Sequence, residues 1–300
     1  MIRLVEVGPR DGLQNEKTIL STEDKFQFIS SLVESGLKSI EVTSFVKAPA
    51  IPQMADAAEL FTRVKNELSG RGVSFPCLIP NIKGYETANS LGVKEIALFT
   101  ATSDSFTKKN INATIDESFE RMKEVVEAAK IDGVMVRGYV STAFGCPYEG
   151  AMDVKKLISV SKRLFDLGVY EVSVGDTIGV AIPQQVRSFI KALKSEFPLG
   201  KLAMHFHDTR GMAVTNIYAS LEEGISTFDS SAGGLGGCPY AKGATGNVAT
   251  EDVWYLMHVQ GLDTGIDISK LASASRFILE KLNRATDSKF LRAYLSTGRV

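Results

Sequence analysis

Short strand-like runs alternate with longer amphipathic runs along the whole chain. The short runs are apolar throughout or at every second position, which is typical of buried β-strands, and we predict eight of them: 2–7, 39–43, 73–79, 95–100, 134–141, 170–175, 202–206 and 226–230. In the longer runs apolar residues recur every three or four positions, which predicts helices at 22–35, 54–68, 115–130, 154–167, 183–196 and 213–223. Eight strand–helix units predict an α/β fold, a single closed (β/α)8 TIM barrel.

The ends of the predicted helices support this repeat. Several end in a glycine followed by an apolar residue, as at Gly36, Gly92, Gly168 and Gly224, which is the pattern of a left-handed C-cap leading into a strand. Residues 269–295 continue as helix, so we treat 1–300 as one catalytic domain with accessory C-terminal helices from about residue 265. An open doubly wound sheet is the alternative, but the first strand is not followed by G-x-G-x-x-G.

Composition narrows the possible partners. A hydrophobic content of 44%, a charged content of 23% and a net charge of −1 describe a globular chain without a basic field for nucleic acid or an anionic membrane. No apolar run reaches the length of a membrane span, and the N-terminus lacks the pattern of a signal peptide. Three cysteines without paired spacing indicate neither a disulfide scaffold nor a zinc knuckle. We therefore expect a reducing compartment and a cytoplasmic protein.

Candidate metal ligands follow the predicted strands. His205 and His207 are two of only three histidines, and their spacing places both on one face of a strand. Barrel active sites lie at the C-terminal ends of the strands, where Arg10 and Asp11 follow the first strand and Asn247 closes the loop after the eighth. Two nitrogen and two oxygen ligands with open positions suit Mg²⁺ or Mn²⁺ better than a closed zinc site. The alternatives are backbone-bonded histidines, a surface ion pair, and Asn247 as the N-cap of a helix at 248–260.

A thiol is the candidate proton donor. The loop 232–247 contains six glycines in sixteen residues, and a cysteine in such a loop can act as a general acid toward a carbon centre. The tetrapeptide Gly-Cys-Pro-Tyr occurs at both 145–148 and 237–240, so position alone does not distinguish Cys146 from Cys238. Cys77 lies inside a predicted strand and belongs to the core.

An ordered set of motifs covers nearly the whole chain. It comprises 5–16 (VEVGPRDGLQNE), 41–45 (EVTSF), 106–112 (FTKKNIN), 137–141 (RGYVS), 175–179 (GDTIG), 205–209 (HFHDT) and 234–240 (GLGGCPY). The set resembles the hydroxymethylglutaryl-CoA lyase family, within a superfamily of metal-dependent barrel lyases and Claisen synthases marked by an Asp, Arg and Glu triad. Here that triad is Asp11, Arg10 and Glu41.

The resemblance implies that (S)-3-hydroxy-3-methylglutaryl-CoA is split into acetyl-CoA and acetoacetate by a metal-assisted retro-Claisen reaction, as in leucine degradation and ketone-body formation. It implies an acyl-CoA substrate, a homodimer or other homo-oligomer, and Mg²⁺ or Mn²⁺ on Asp11, His205, His207 and Asn247. It implies catalytic roles for Arg10, Asp11, His205, Glu41, Asp176, Glu251 and Cys238, so Cys238 is selected over Cys146. It also implies substrate contacts from Arg10, Gln14, Ser44 and Asn283.

Some points stay open in the sequence. Either Asp11 or His205 can take the hydroxyl proton, and a Claisen synthase, an aldolase or a non-catalytic binding barrel would share part of the pattern. The chain also departs from the mitochondrial members at Arg210, where they have a tyrosine, and at Ala285, where they have a lysine near the CoA nucleotide. The first departure leaves the acyl-chain preference open, and the second puts that CoA contact in doubt.

Overall fold

The computed structural model describes residues 2–47, 50–237 and 246–297. Within these ranges one parallel sheet is built from nine strand segments, and a two-stranded antiparallel ribbon lies outside it. In chain order the strands are β1 Arg3–Glu6, β2 Ser39–Ile40, β3 Thr43–Ser44, β4 Cys77–Leu78, β5 Glu95–Ala101, β6 Met135–Ser141, β7 Gly145–Cys146, β8 Gly150–Ala151, β9 Glu171–Asp176, β10 Leu202–Phe206 and β11 Thr227–Ser230.

The parallel sheet closes on itself. Its order is β2-β1-β11-β10-β9-β6-β5-β4-β3, so the two end strands, β2 and β3, are consecutive pieces of the second predicted strand. The amide of Glu41 donates to the carbonyl of Glu6 on one side, and the amide of Val42 donates to the carbonyl of Pro76 on the other. Because one segment bonds to both edges, the sheet is a barrel, and the predicted fold class is confirmed.

Helices surround the barrel and extend beyond it. They are α1 Thr22–Glu34, α2 Ala57–Leu68, α3 Ile82–Leu91, α4 Asp104–Ile111, α5 Ile115–Asp132, α6 Val154–Leu167, α7 Pro183–Leu193, α8 Ala213–Glu222, α9 Thr250–Val259, α10 Ile268–Leu282 and α11 Lys289–Thr297. The apolar pattern does not predict α3 or α4, which are short and begin at side-chain caps on Asn81 and Ser103. In the described ranges no helix combines the length and the apolar character that a membrane crossing requires.

Two predicted boundaries are wrong for identifiable reasons. Of the predicted strand 73–79, only Cys77–Leu78 forms a strand. Pro76 has no amide proton to donate to the hydrogen-bond ladder of the sheet. The predicted helix 269–295 is two helices, since Asn283 adopts a left-handed conformation with φ of 50° and ends α10. The break turns the chain back toward the barrel, where the Ser288 hydroxyl donates to Asp252 of α9 at 2.7 Å.

In the later strands, side-chain alternation separates an apolar outside from a polar inside. The residues that join the main apolar cluster from the later strands are Val136, Val140, Val172, Val174, Leu202, Met204, Phe206 and Phe228. The alternate residues hydrogen-bond to one another across the barrel, and they include Arg137, Tyr139, Glu171, Ser173, His205 and Asp229. TIM barrels are usually filled by branched apolar side chains, so this buried polar set marks the barrel interior as a site.

Candidate metal centre and active site

The barrel brings Asp11, His205 and His207 together at the C-terminal ends of its strands. One ligand atom from each residue lies within 4.8 Å of the others, and the two imidazole centroids are 5.2 Å apart. Asp11 is placed by a tight turn in which the amides of Arg10, Asp11 and Gly12 all donate to the carbonyl of Val7. A Cβ on Gly12 would lie 2.8 Å from the Cβ of Leu235, so the turn needs glycine there.

Asn247 completes a donor set that suits a divalent cation. Its amide nitrogen donates to Asp11 Oδ2 at 2.9 Å, while its buried Oδ1 has no hydrogen-bond partner among the described residues. The buried Nδ1 of His207 also lacks such a partner, and unpaired buried polar atoms are costly unless a ligand satisfies them. Burial and the neighbouring His205 lower the pKa of His207 to about 4, so its ring is neutral near neutral pH. These residues therefore fit a cation held by nitrogen and oxygen ligands.

The interpretation of Asn247 as a helix N-cap is wrong. Helix α9 begins at Thr250 and its N-cap residue is Ala249. Asn247 instead forms an antiparallel β-bridge with His207, and the amide of Val248 donates to the carbonyl of Phe206. This pairing holds the returning chain against the end of β10, where the Asn247 amide reaches Asp11.

Arg10 is a fixed cation beside this centre. Its Nε donates to Glu41 Oε1 and its Nη1 to Asp11 Oδ1, both at 2.6 Å, and Tyr139 donates its hydroxyl to Glu41 Oε2 at 2.5 Å. Burial alone would lower the pKa of Arg10, but Glu41 and Asp11 outweigh it and raise that pKa above its usual value. Burial would likewise raise the pKa of Asp11, yet Arg10 and the histidines lower it. Both groups are therefore charged near neutral pH.

The motifs do not identify Asp229 as a site residue, although it contacts His205 directly. Asp229 lies opposite His205 in the register of β10 and β11, and its Oδ2 is 3.2 Å from His205 Nδ1. Arg137 donates to both oxygens of this carboxylate, at 2.8 and 3.3 Å. The signal in the sequence was a charged residue at an inward position of a short buried strand, because such positions normally carry apolar side chains.

A cavity of about 650 Å³ opens from this polar end. Arg10, Asp11, Gln14 and both histidines are among its lining residues, and Gln14 donates to Asp11 Oδ1 at 2.9 Å. Other lining residues are Val46, Ile51, Pro80, Phe106, Asn110, Ile111 and Arg121. A polar group can therefore bind beside Arg10 and the histidines while apolar parts of the same ligand contact the rest of the wall.

Three other predicted site residues lie behind this surface. Glu41 is fully buried and reaches the cavity only through Arg10 and Tyr139. Asp176 accepts the amides of Val180 and Ala181 at 3.0 Å, which organises the turn after β9, and burial raises its pKa. Ser44 is buried, and its hydroxyl has no partner among the described residues.

Glu251 and Asn283 also lie outside the cavity lining. Glu251 is completely buried in the first turn of α9 and accepts the amide of Gly233 on both oxygens, at 2.9 and 3.0 Å, and the hydroxyl of Ser275. It therefore holds the start of the glycine-rich loop. Asn283 is an exposed C-cap residue at the end of α10. Their predicted catalytic and substrate-binding roles stay predictions.

Of the two candidate proton donors, Cys146 and Cys238, the structure describes only Cys146. Cys238 lies outside the described residues, so its predicted role stays a prediction. Cys146 is buried, donates to the hydroxyl of Ser103 at 3.0 Å and belongs to a small apolar cluster with Ala101, Phe106 and Met152. Cys77 is completely buried in the main core, as predicted.

Comparisons with known proteins agree with this geometry. The family model described as HMGL-like matches residues 1–278. The chain is 49% identical over 292 residues to the mitochondrial hydroxymethylglutaryl-CoA lyase of Gallus gallus, with 97% of each chain covered. It is also 49% identical to the crystal structure of hydroxymethylglutaryl-CoA lyase from Pseudomonas aeruginosa, with a TM-score of 0.95 and 98% and 97% of the two chains covered.

A more distant solved structure contains ligands. It is an HMG-CoA lyase from Acinetobacter baumannii in complex with coenzyme A and 3-methylmalate, with 35% identity, a TM-score of 0.92 and coverage of 100% of this chain and 95% of that one. The resemblance predicted from the motifs is therefore confirmed by sequence and by fold. The chain belongs to the HMGL-like family, among the hydroxymethylglutaryl-CoA lyases.

Proposed function

We propose that this protein is a carbon–carbon lyase that splits (S)-3-hydroxy-3-methylglutaryl-CoA into acetyl-CoA and acetoacetate. The observation that carries the proposal is the convergence of Asp11, His205, His207 and Asn247 beside the buried cation Arg10. Arg10, Asp11 and the two histidines line a cavity in a member of the hydroxymethylglutaryl-CoA lyase family. We further propose that the chain acts as one barrel domain with accessory C-terminal helices.

The four converging residues are the proposed ligands of Mg²⁺ or Mn²⁺. When bound, such an ion polarises the tertiary hydroxyl of the substrate and lowers its pKa. Asn247 orients Asp11 through its amide nitrogen and keeps Oδ1 directed into the site as an oxygen donor. A neutral His207 supplies a nitrogen donor without a proton to displace.

The two candidate bases, Asp11 and His205, differ in their contacts. Both oxygens of Asp11 accept hydrogen bonds, from Arg10, Gln14 and Asn247, and its lowered pKa makes it a weak base. His205 directs Nδ1 at Asp229, which leaves Nε2 as its free lone pair. A metal ion on Nε2 and proton uptake at Nε2 exclude each other, so His205 can take the hydroxyl proton only when it does not hold the ion.

Arg10 and Cys238 are proposed to act after the carbon–carbon bond begins to break. As the carbon–carbon bond breaks, negative charge moves to the thioester enolate, and Arg10 lies ready without reorganisation because Glu41 and Asp11 hold it. Cys238 is the proposed donor of the proton that the enolate carbon receives. Glu41 and Asp176 act behind the site by holding Arg10 and the turn after β9.

The test is an assay for acetoacetate from the CoA thioester. Metal-stripped protein should be inactive and should recover with Mg²⁺ or Mn²⁺, and His207→Ala should weaken Mn²⁺ binding in calorimetry. Thioesters with longer branched acyl groups, compared in the same assay, define the acyl-chain preference. Full activity without metal, or no turnover of any such thioester with Mn²⁺ present, would refute the proposal.

Other features of the cellular role are proposals that follow from the reaction. A lyase of this specificity would serve leucine degradation and ketone-body formation. The cytoplasmic location stays a prediction, because the relative from Gallus gallus is named as mitochondrial. Assembly as a homodimer or other homo-oligomer also stays a prediction.

A further inference from the structure

We propose that Asp229, held by Arg137 and Ser173, is a positioning residue that fixes His205 in the tautomer with its proton on Nδ1. The inference concerns the chain's own hydrogen bonds, and it rests on the proposed function only for its effect on Mn²⁺ affinity. Asp229 is buried at an inward position of β11, and its carboxylate lies between the His205 ring and the Arg137 guanidinium. The Nε2 lone pair of His205 would then always face the site.

The contacts of Asp229 decide the direction of its bond to His205. Arg137 donates from Nη2 to Oδ1 at 2.8 Å and from Nη1 to Oδ2 at 3.3 Å, and Ser173 donates its hydroxyl to Oδ2 at 2.7 Å. A guanidinium has only donors, so it selects the ionised, acceptor-only form of the carboxylate. The nitrogen of His205 that lies 3.2 Å from Oδ2 must therefore be the donor.

The charges of Asp229 and Glu171 are balanced without His205, so the contact between Asp229 and His205 is not needed as an ion pair. Arg137 also donates from Nε to Glu171 Oε1 at 2.7 Å, and Glu171 pairs with Arg3. Two arginines and two carboxylates thus neutralise one another inside the barrel without a charge on His205. Because these ion pairs are complete, the hydrogen bond between Asp229 and His205 serves to orient the imidazole.

Of the residues that flank His205 within the barrel wall, only Asp229 can distinguish its two nitrogens. In the sheet register His205 lies opposite Gly175 on one side, which has no side chain, and opposite Asp229 on the other. The Tyr139 ring stands edge-on to the imidazole, with a centroid distance of 6.2 Å and an interplanar angle of 78°. An aromatic edge limits the tilt of the ring but does not distinguish its two nitrogens, so only Asp229 sets the tautomer among these three neighbours.

The first experiment reads the tautomer directly. Long-range ¹H–¹⁵N spectra of the metal-free protein report which nitrogen of each histidine carries the proton, and three histidines give a spectrum that can be assigned. We expect His205 to carry its proton on Nδ1, with the exposed His258 as an internal reference assigned by His258→Gln. A proton on Nε2 of His205 in the wild-type protein would overturn the proposal, and this result needs no variant to fold.

The second experiment uses a matched pair of variants in the same network. Asp229→Asn introduces an amide that can donate to Nδ1, so we expect the His205 proton to move to Nε2 and Mn²⁺ affinity in calorimetry to fall about 10- to 100-fold. Glu171→Gln perturbs the other side of Arg137 without touching His205, so it should keep the tautomer and stay within about threefold of wild-type affinity.

Equal losses of affinity in both variants, or an unchanged His205 tautomer in Asp229→Asn, would also overturn the proposal. The readouts separate this inference from the proposed function. If the wild-type protein showed the Nδ1–H tautomer but did not cleave the CoA thioester, the function would be refuted and the positioning role of Asp229 would stand.

Discussion

Arg10 shows how a single residue combines stability and chemistry. Its guanidinium is buried between Glu41 and Asp11, and it also lies over the ring of Tyr139, with Cζ 5.6 Å from the centroid. A charge in such a place is tolerated because two carboxylates offset its desolvation. The same contacts hold the cation in advance at the edge of the candidate metal centre, where the proposed reaction would form an enolate.

Replacement of Arg10 should chiefly lower turnover. We expect Arg10→Met to reduce kcat about 100- to 1,000-fold, because a fixed cation no longer stabilises the enolate. It should also lower the free energy of unfolding, since Glu41 would stay buried without its partner. Steady-state kinetics and urea unfolding measure both, with the surface variant Arg187→Met as control. A change confined to KM would contradict the enolate role.

The two Gly-Cys-Pro-Tyr segments supply a test of the proton donor. We expect Cys238→Ser to lower kcat by orders of magnitude, since a serine hydroxyl is a much weaker acid than a thiol, with little change in substrate affinity. Cys146→Ser should retain turnover within a fewfold range, because that thiol is buried and engaged with Ser103. Equal loss of activity in both variants would reverse the assignment.

At the scale of elements, the two ends of the glycine-rich loop, near Gly236 and Gly246, pack together and are held by Arg284. We call this pair of loop ends the neck of the loop. A Cβ on Gly246 would lie 2.6 Å from the carbonyl carbon of Gly236, so the two sides of the neck pack backbone against backbone. Arg284, just after α10, pairs with Glu16 and Asp287 and donates to the carbonyls of Gly234 and Gly236 at 3.2 and 3.3 Å. Its guanidinium is thus committed to the protein rather than free for a CoA phosphate.

Loosening this neck should affect turnover more than binding. We expect Arg284→Ala to lower kcat about 10-fold or more, with KM for the CoA thioester nearly unchanged. The reason is that the loop that carries Cys238 would lose the contacts that anchor it. Arg276→Ala, an exposed change within α10, is the matched control. A rise in KM alone would instead indicate that Arg284 contacts the CoA portion.

At the scale of the whole molecule, two buried carboxylates lie under the start of the same loop. Glu6 accepts the amides of Gly8 and Ala232 and the hydroxyl of Thr250, and burial raises its pKa to about 7. Burial likewise raises the pKa of Glu251 to about 8. Both acids therefore keep their protons in the folded protein at pH values where the unfolded chain has released them.

The stabilising contribution of these two acids should consequently fall with rising pH. Above the unfolded pKa of 4.5 each acid binds more protons in the folded state than in the unfolded state, so the Glu251 contribution decreases until pH passes about 8. We expect Glu251→Gln to weaken this dependence by on the order of 2–3 kcal/mol between pH 5.5 and 8.5, measured by urea unfolding. Glu120→Gln, at an exposed position, should not, and an unchanged slope in Glu251→Gln would contradict the raised pKa.

The sequence by itself determined the barrel, the order of its units and the residues that meet at its rim. Apolar periodicity is local, so it locates strands such as Leu202–Phe206 and helices such as Val154–Leu167 without tertiary information. Parallel strands of a barrel end at one rim, and this rule alone predicts that Asp11 and His205 converge. The apolar periodicity does not predict the short helices α3 and α4, because their few turns carry too weak a periodic pattern.

Only the tertiary structure decided which groups actually touch. Asp229 and His205 are 24 positions apart in sequence, and Asn247 and Asp11 are 236 apart, so no local pattern pairs them. The register of β10 and β11 sets the first contact, and the return of the chain beside His207 sets the second. His205 and His207, two histidines with a strand-like spacing, thereby become a site in which one ring is anchored and the other is neutral.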